Sequence, residues 1–330
     1  MNREIIQRLY GLEITGIEKS AVGAGSDTYF ITCKDGRYVV KFPSASEINH
    51  PESEPALCEF LLSKGVCASE FLKNSNGQYI SADENGRKFH VQKFAEGKVY
   101  DLNTAPSWLL KESAALLGKI HRALAGYPPL PEGIGPNFFR FMTPETALNS
   151  YQNTLTIAKE NGPTEIAEDL SYRIGLMQRF PRYHFDMDLL TRRNTHGDFF
   201  ISQLICGNKA INAVIDWTTA CVHPVVWEII RSYVYASPKC REGRMDIPEF
   251  LDYLSAYLEY APLTAYDIQT MPSLFYYQIA VCDYYGQYYQ SKAENREIYL
   301  HQAVFSTKLM KWFEENLQIL TEELAARFLK

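Results

Sequence analysis

Thr195-His196-Gly197-Asp198-Phe199-Phe200-Ile201-Ser202-Gln203-Leu204-Ile205-Cys206-Gly207-Asn208-Lys209-Ala210-Ile211-Asn212-Ala213-Val214-Ile215-Asp216-Trp217 is the stretch on which the reading of this chain turns. It predicts a loop, a short strand, a tight turn, a second strand and a carboxylate at the exit. Leu204–Cys206 and Ile211–Ile215 are short and rich in branched apolar residues, and Gly207-Asn208 between them is a strong turn signal. An antiparallel hairpin folded about Asn208 returns Asp216 toward Gln203, with Asp198 in the loop just ahead. Two hard oxygen donors close together suit Mg2+, which takes oxygen ligands and keeps waters alongside substrate phosphates. A further carboxylate outside the metal shell, Asp198, is placed to accept the proton of an attacking hydroxyl. That is the equipment of phosphoryl transfer.

Bulk properties narrow the class. A chain of 330 residues with 46% hydrophobic and 22% charged residues is that of a soluble globular protein of one large or two ordinary domains. Against 33 Lys and Arg stand 39 Asp and Glu, a formal charge of −6, which argues against a general nucleic-acid binder. The 7 cysteines contain no Cys-x-x-Cys pair, so neither a zinc site nor a disulfide framework is indicated, and free thiols fit a reducing cytosol. Residues 1–10 predict a short amphipathic helix with charges throughout, not a signal peptide. No apolar run approaches the roughly 20 residues that span a bilayer. Oligomeric state leaves no trace in the sequence.

Ahead of the central stretch, Ile14–Ser20 and Thr28–Cys33 alternate like paired strands, bridged by Ala21-Val22-Gly23-Ala24-Gly25-Ser26-Asp27. That bridge is either a plain hairpin turn or a Gly/Ser loop over nucleotide phosphates. Tyr38-Val39-Val40-Lys41-Phe42 sets a Lys inside an apolar strand, where an unpaired ammonium is expensive to bury. Pro51–Lys64 predicts a helix offering Glu52, Glu54 and Glu59 as partners, and a solvated acidic face is the other reading of these acids. Phe89–Phe94 is a further strand, running into Ala95-Glu96-Gly97. From Trp108 the pattern is helical, with Leu109, Leu116, Leu117, Ile120 and Leu124 in one stripe and His121 beside it as a buried, hydrogen-bonded residue. His184-Phe185-Asp186-Met187-Asp188 fits a helix-end loop better than a metal site. Residues 247–330 are helical by pattern. Within them Met271–Lys292 carries Phe275, Tyr276, Tyr277, Tyr284, Tyr285, Tyr288 and Tyr289 around Asp283, either a core helix or an aromatic box for a cationic or sugar-like ligand.

His196-Gly197-Asp198, a metal-binding side chain five residues after that Asp, and Ile215-Asp216-Trp217 closing the hairpin resemble the aminoglycoside phosphotransferase/choline kinase family. The family pattern has Asn where this chain has Gln203, which keeps the amide oxygen and lengthens the arm by one methylene. The Asp that often follows the metal-binding Asp is replaced in His223-Pro224-Val225-Val226-Trp227-Glu228, with Glu228 the nearest acid. The resemblance implies an α+β, protein-kinase-like two-lobed fold, with a small β-rich N-lobe and a larger, mostly helical C-lobe. It implies an ATP-binding lobe over 1–97, a hinge at about 92–97, and a helical lobe over 98–330 holding the catalytic loop and substrate site. It implies ATP and Mg2+ as cofactors, and a small hydroxylated molecule as acceptor, an aminoglycoside, amino alcohol or sugar-like metabolite. By this resemblance Asp198 is the catalytic base and His196 braces its loop. Gln203 and Asp216 hold the metal, Lys41 set by Glu54 holds the phosphates, Gly23, Gly25 and Ser26 cover them, and Gln92 and Phe94, with Lys93 and Ala95, lie along the adenine. A nucleotide-binding module that has lost turnover is the alternative, motivated by Gln203 and by Phe200-Ile201-Ser202 in place of the usual Pro and Gly. A protein kinase is disfavoured, since Asp216 is followed by Trp217-Thr218 and no Asp-Phe-Gly or Ala-Pro-Glu is present.

Overall fold

Alternation of buried and exposed side chains folds the first part of the chain into a sheet. The computed structural model describes residues 1–20, 26–43, 53–292 and 296–329, so the expected phosphate-loop residues Gly23 and Gly25, and Glu52, lie outside the described residues. Helix α1 (Arg3–Tyr10) precedes strands β1 (Ile14–Lys19), β2 (Asp27–Cys33) and β3 (Gly36–Phe42). Helix α2 (Ser53–Ser63) follows, then β4 (Ser81–Ala82) and β5 (Lys88–Lys93). The strands form one antiparallel sheet in the order β1-β2-β3-β5-β4. One face buries Ile14, Ile31, Tyr38, Val40, Phe42, Phe89 and Val91, covered by Ile6 of α1. Because successive side chains point to opposite faces, Lys41 lies on the other one, opposite Thr28 on β2 and His90 on β5.

The rest is mostly helical. Helices α3 (Ser107–Leu124), α4 (Pro136–Phe141), α5 (Pro144–Asn161) and α6 (Thr164–Arg179) lead to strand β6 (Arg192–Thr195), the hairpin β7 (Leu204–Cys206) and β8 (Ile211–Val214), and β9 (Cys221–Pro224). Then come α7 (Val225–Val234), α8 (Ile247–Leu258), α9 (Ala265–Val281), α10 (Tyr284–Gln290) and α11 (Arg296–Phe328). The α3 stripe of Leu109, Leu116, Leu117, Ile120 and Leu124 is buried throughout. Region 247–330 is not one helical run. It is interrupted around Pro262, where Thr264 starts α9 with a capping box, and at Asp283, which caps α10 by accepting the Gly286 N–H at 2.7 Å. Tyr276 and Tyr277 of α9 are core residues, 3% and 6% exposed, with the Tyr277 hydroxyl donating to the Met142 carbonyl.

The chain divides into two compact units, one of Met1–Tyr100, Ala123–Pro128 and Ser202–Ala220, the other of Asp101–Arg122, Pro129–Ile201 and Cys221–Lys330. The fold class is α+β, as expected. Among the described residues no helix is long and apolar enough to cross a membrane.

Candidate active site

In the first unit the hairpin pairs Leu204 with Val214 and Ile205 with Ala213. Gly207 donates to the Ala210 carbonyl, and the left-handed residue of the turn is Lys209 (φ 58°), one beyond the expected pivot at Asn208. At the open end the Ile215 N–H donates to the Gln203 carbonyl at 3.0 Å, so residues 203 and 216 flank the base of the ribbon as predicted. Asp216 has φ 63° and ψ 62°, a left-handed conformation that Asp tolerates better than most residues. Its Oδ1 accepts from Lys41 Nζ at 2.8 Å and from the Thr218 hydroxyl at 3.0 Å. Glu54, 4% exposed, accepts the N–H of the next residue, Trp217, at 3.0 Å. The structure therefore brings Lys41, Glu54 and Asp216 together about one turn of backbone.

Beside Lys41 on the sheet, His90 is buried, stacked on Phe71, with Nε2 4.0 Å from Glu54 Oε2. Burial, reinforced by the Lys41 charge, pushes its pKa down to about 3, so the ring is neutral. Gln92 is buried and its amide meets His90 Nδ1 at 3.3 Å. The Phe94 ring lies 3.7 Å from the Arg37 guanidinium. The N–H groups of Lys93 and Phe94 donate to Glu70 and Arg37 carbonyls, so as placed neither is a donor to an adenine edge. Ser26 is half-buried at the bend before β2.

In the second unit β6 and β9 pair antiparallel, Thr195 opposite Cys221, and the Asp198 loop follows β6 directly. Sequence patterning gave no sign of this ladder. Glu228 on α7, 1% exposed, accepts from the Gly197 N–H at 2.5 Å, the His196 N–H at 3.3 Å and His121 Nε2 at 2.8 Å. Burial opposes its charge, but the His121 hydrogen bond and the surrounding imidazoles outweigh burial and hold the carboxyl below its ordinary range. His121 is fully buried, with Nδ1 at 2.9 Å from the Tyr257 hydroxyl. His196 is fully buried, its Nδ1 accepting from the Asp198 N–H at 3.2 Å, which fits a brace and leaves it no approach to a substrate. Asp198 Oδ1 sits 2.9 Å from Arg231 Nη2, a partner that no motif pointed to. The His184–Asp188 segment is a loop in which Asp186 accepts the Asp188 N–H, and among the described residues no group of three or more His, Cys, Asp or Glu converges on a metal cage.

A protein-family model described as "Phosphotransferase enzyme family" matches residues 16–263. No curated protein matches the sequence. Among solved structures, the amicoumacin kinase hAmiN in complex with AMP-PNP, Ca2+ and Ami is similar at TM-score 0.64 and 14% identity, over 93% of each chain. A microcompartment-associated aminopropanol kinase is similar at TM-score 0.61 and 13% identity, over 97% of this chain and 98% of that one. The spectinomycin phosphotransferase APH(9)-Ia in complex with ADP and spectinomycin gives TM-score 0.58 and 14% identity, over 98% and 96%. At these identities the likeness is one of fold, and the fold is kinase-like.

Proposed function

The chain belongs to the phosphotransferase enzyme family, its acceptor an alcohol group, and on that premise we propose that it moves the γ-phosphoryl group of ATP to a hydroxyl of a small molecule, with Mg2+ on the triphosphate. The observation that carries this reading is Lys41 Nζ at 2.8 Å from Asp216 Oδ1, with Glu54 fixing the N–H of the following residue. A cation held beside a carboxylate at the mouth of a hairpin is what a triphosphate and its metal need. Structural neighbours that hold AMP-PNP or ADP support the nucleotide.

In this reading residues 1–97 bind the nucleotide and residues 98–330 carry the catalytic loop and acceptor site. Lys41 binds α- and β-phosphate oxygens. Asp216, with 40% of its side chain exposed, and Gln203 offer a carboxylate and an amide oxygen, a donor set that fits Mg2+ completed by phosphates and water. When bound, the ion supplies charge neutralisation on the phosphates. Asp198 orients the acceptor hydroxyl and receives its proton. The acceptor oxygen forms a bond to Pγ as the bond from Pγ to the β,γ-bridging oxygen breaks, and ADP leaves with that electron pair. The transition state is loose and highly charged, so positioning and electrostatics do most of the catalysis. His196 keeps the loop in shape through the Asp198 N–H.

A coupled ADP-release screen over aminoglycosides, amino alcohols, sugars and nucleosides, paired with calorimetry of Mg·ATP binding, tests the proposal. ADP formation above the water blank with one acceptor class is the expected result. Mg·ATP binding with no ADP from any acceptor would instead leave a nucleotide-binding module without turnover.

A further inference from the structure

Resting on the assignment of Asp198 as the base, we propose that Arg231 is its positioning residue and that it makes the acceptor site select neutral or anionic hydroxyl compounds over amines. Glu228 and Arg231 are three residues apart on α7 and so share one face of that helix. Glu228 takes the backbone N–H groups of His196 and Gly197. Arg231 takes the other side of the loop, with Nη2 2.9 Å from Asp198 Oδ1 and Nη1 donating to the Gly197 carbonyl at 3.4 Å. One helix thus grips the loop by its backbone and by its carboxylate, through Oδ1 of Asp198.

The guanidinium is held in place as well as charged. Its carbon lies 4.0 Å from the Phe200 ring centroid, 5.0 Å from Trp227 and 5.6 Å from Tyr235. Phe200 and Tyr235 themselves pack at 4.5 Å, and the Tyr235 hydroxyl accepts from the Gln302 amide. A planar cation among aromatic faces loses little freedom when it pairs, and Arg stays charged at any working pH. With Arg231 and Asp198 only 19% and 30% exposed, solvent screens the pair incompletely. An ammonium group approaching Asp198 therefore meets a compensated ion pair, with a fixed positive charge beside the carboxylate. A free carboxylate would attract it, whereas this pair does not. The acidic net charge of the chain points toward cationic acceptors, and the local charge at the base reverses that leaning.

The test uses three matched probes on one carbon skeleton, 1-amino-2-propanol, 1,2-propanediol and lactate, plus water, with ADP release as readout for wild type, Arg231→Lys and Arg231→Met. Wild type is expected to show kcat/KM at least about tenfold higher for the diol and lactate than for the amine. Arg231→Met should close or invert that gap, mainly through KM, and lower turnover with every acceptor including water. Arg231→Lys should keep the ranking, added KCl should narrow it, and guanidinium chloride should restore part of the turnover lost in Arg231→Met. A purely structural role would move none of the charge ranking. If Arg231→Met does not fold, Arg231→Gln reads the same contrast. An unchanged ranking in the uncharged variant, or an amine preferred by wild type, overturns the proposal while leaving Asp198 as base. No ADP from wild type with these probes, with any acceptor of the broader screen or with water removes both.

Discussion

Glu228 shows how one side chain can set a loop. Its two oxygens take two backbone N–H groups and an imidazole in a spot that is 1% exposed. Removing an acceptor from buried donors costs about 1–3 kcal/mol for each group left unmade. Glu228→Ala is therefore expected to lower unfolding free energy by about 3 kcal/mol or more in urea titrations. A loss under about 1 kcal/mol would show that the three bonds contribute little. The sequence singled out Glu228 as the nearest acid, and His121 as a buried bonded histidine, but not that they meet, because they are 107 positions apart. Arg231 was invisible for a similar reason. An Arg three residues along a helix looks like any surface charge until the loop that it grips is placed.

At the scale of elements, the β7–β8 hairpin was legible because branched strands flank a Gly-Asn turn and the register follows from the turn. Its outer edge was not. Lys98 and Cys206 exchange both backbone hydrogen bonds, at 2.9 and 2.8 Å, and Gly97 passes so close that an added Cβ would lie 2.5 Å from the Cys206 carbonyl oxygen. Gly97 also has φ +145°, a conformation that L side chains rarely adopt. Gly97→Ala is expected to destabilise the protein by about 2 kcal/mol or more through strain and displaced backbone, read as a fall in Tm. An unchanged Tm would mean that the segment yields freely. Pairings such as Lys98 with Cys206, or β6 with β9, join residues that carry no alternating pattern, so periodicity had nothing to find. The interruptions at Pro262 and Asp283 had local signals, but the surrounding apolar content masked them.

For the molecule as a whole, the α+β class was what the family resemblance implied and the strands of the first part were legible in their alternation, while the site's polar network required the fold. Two histidines tie that network to global stability. Burial holds His90 down at about 3 and His223 at about 4, and the Ile134 N–H donating to His223 Nδ1 at 2.7 Å blocks protonation there. The unfolded chain protonates both near the ordinary 6.5, so below that pH it binds more protons than the native state. Stability must then rise with pH between about 4 and 6.5, by about 1.4 kcal/mol per pH unit for each histidine. Urea titrations from about pH 4.5 to 6 should show this slope, flattening toward about pH 7, and His90→Gln should remove one proton's share of it. A flat or falling profile would contradict the buried neutral assignment. Chemistry at Asp198 is the claim on which most depends. With the best acceptor from the ADP-release screen, Asp198→Asn is predicted to lower kcat by about 10^2- to 10^4-fold while calorimetric Mg·ATP affinity stays within about twofold of wild type. Transfer near the wild-type rate in that variant would contradict the account.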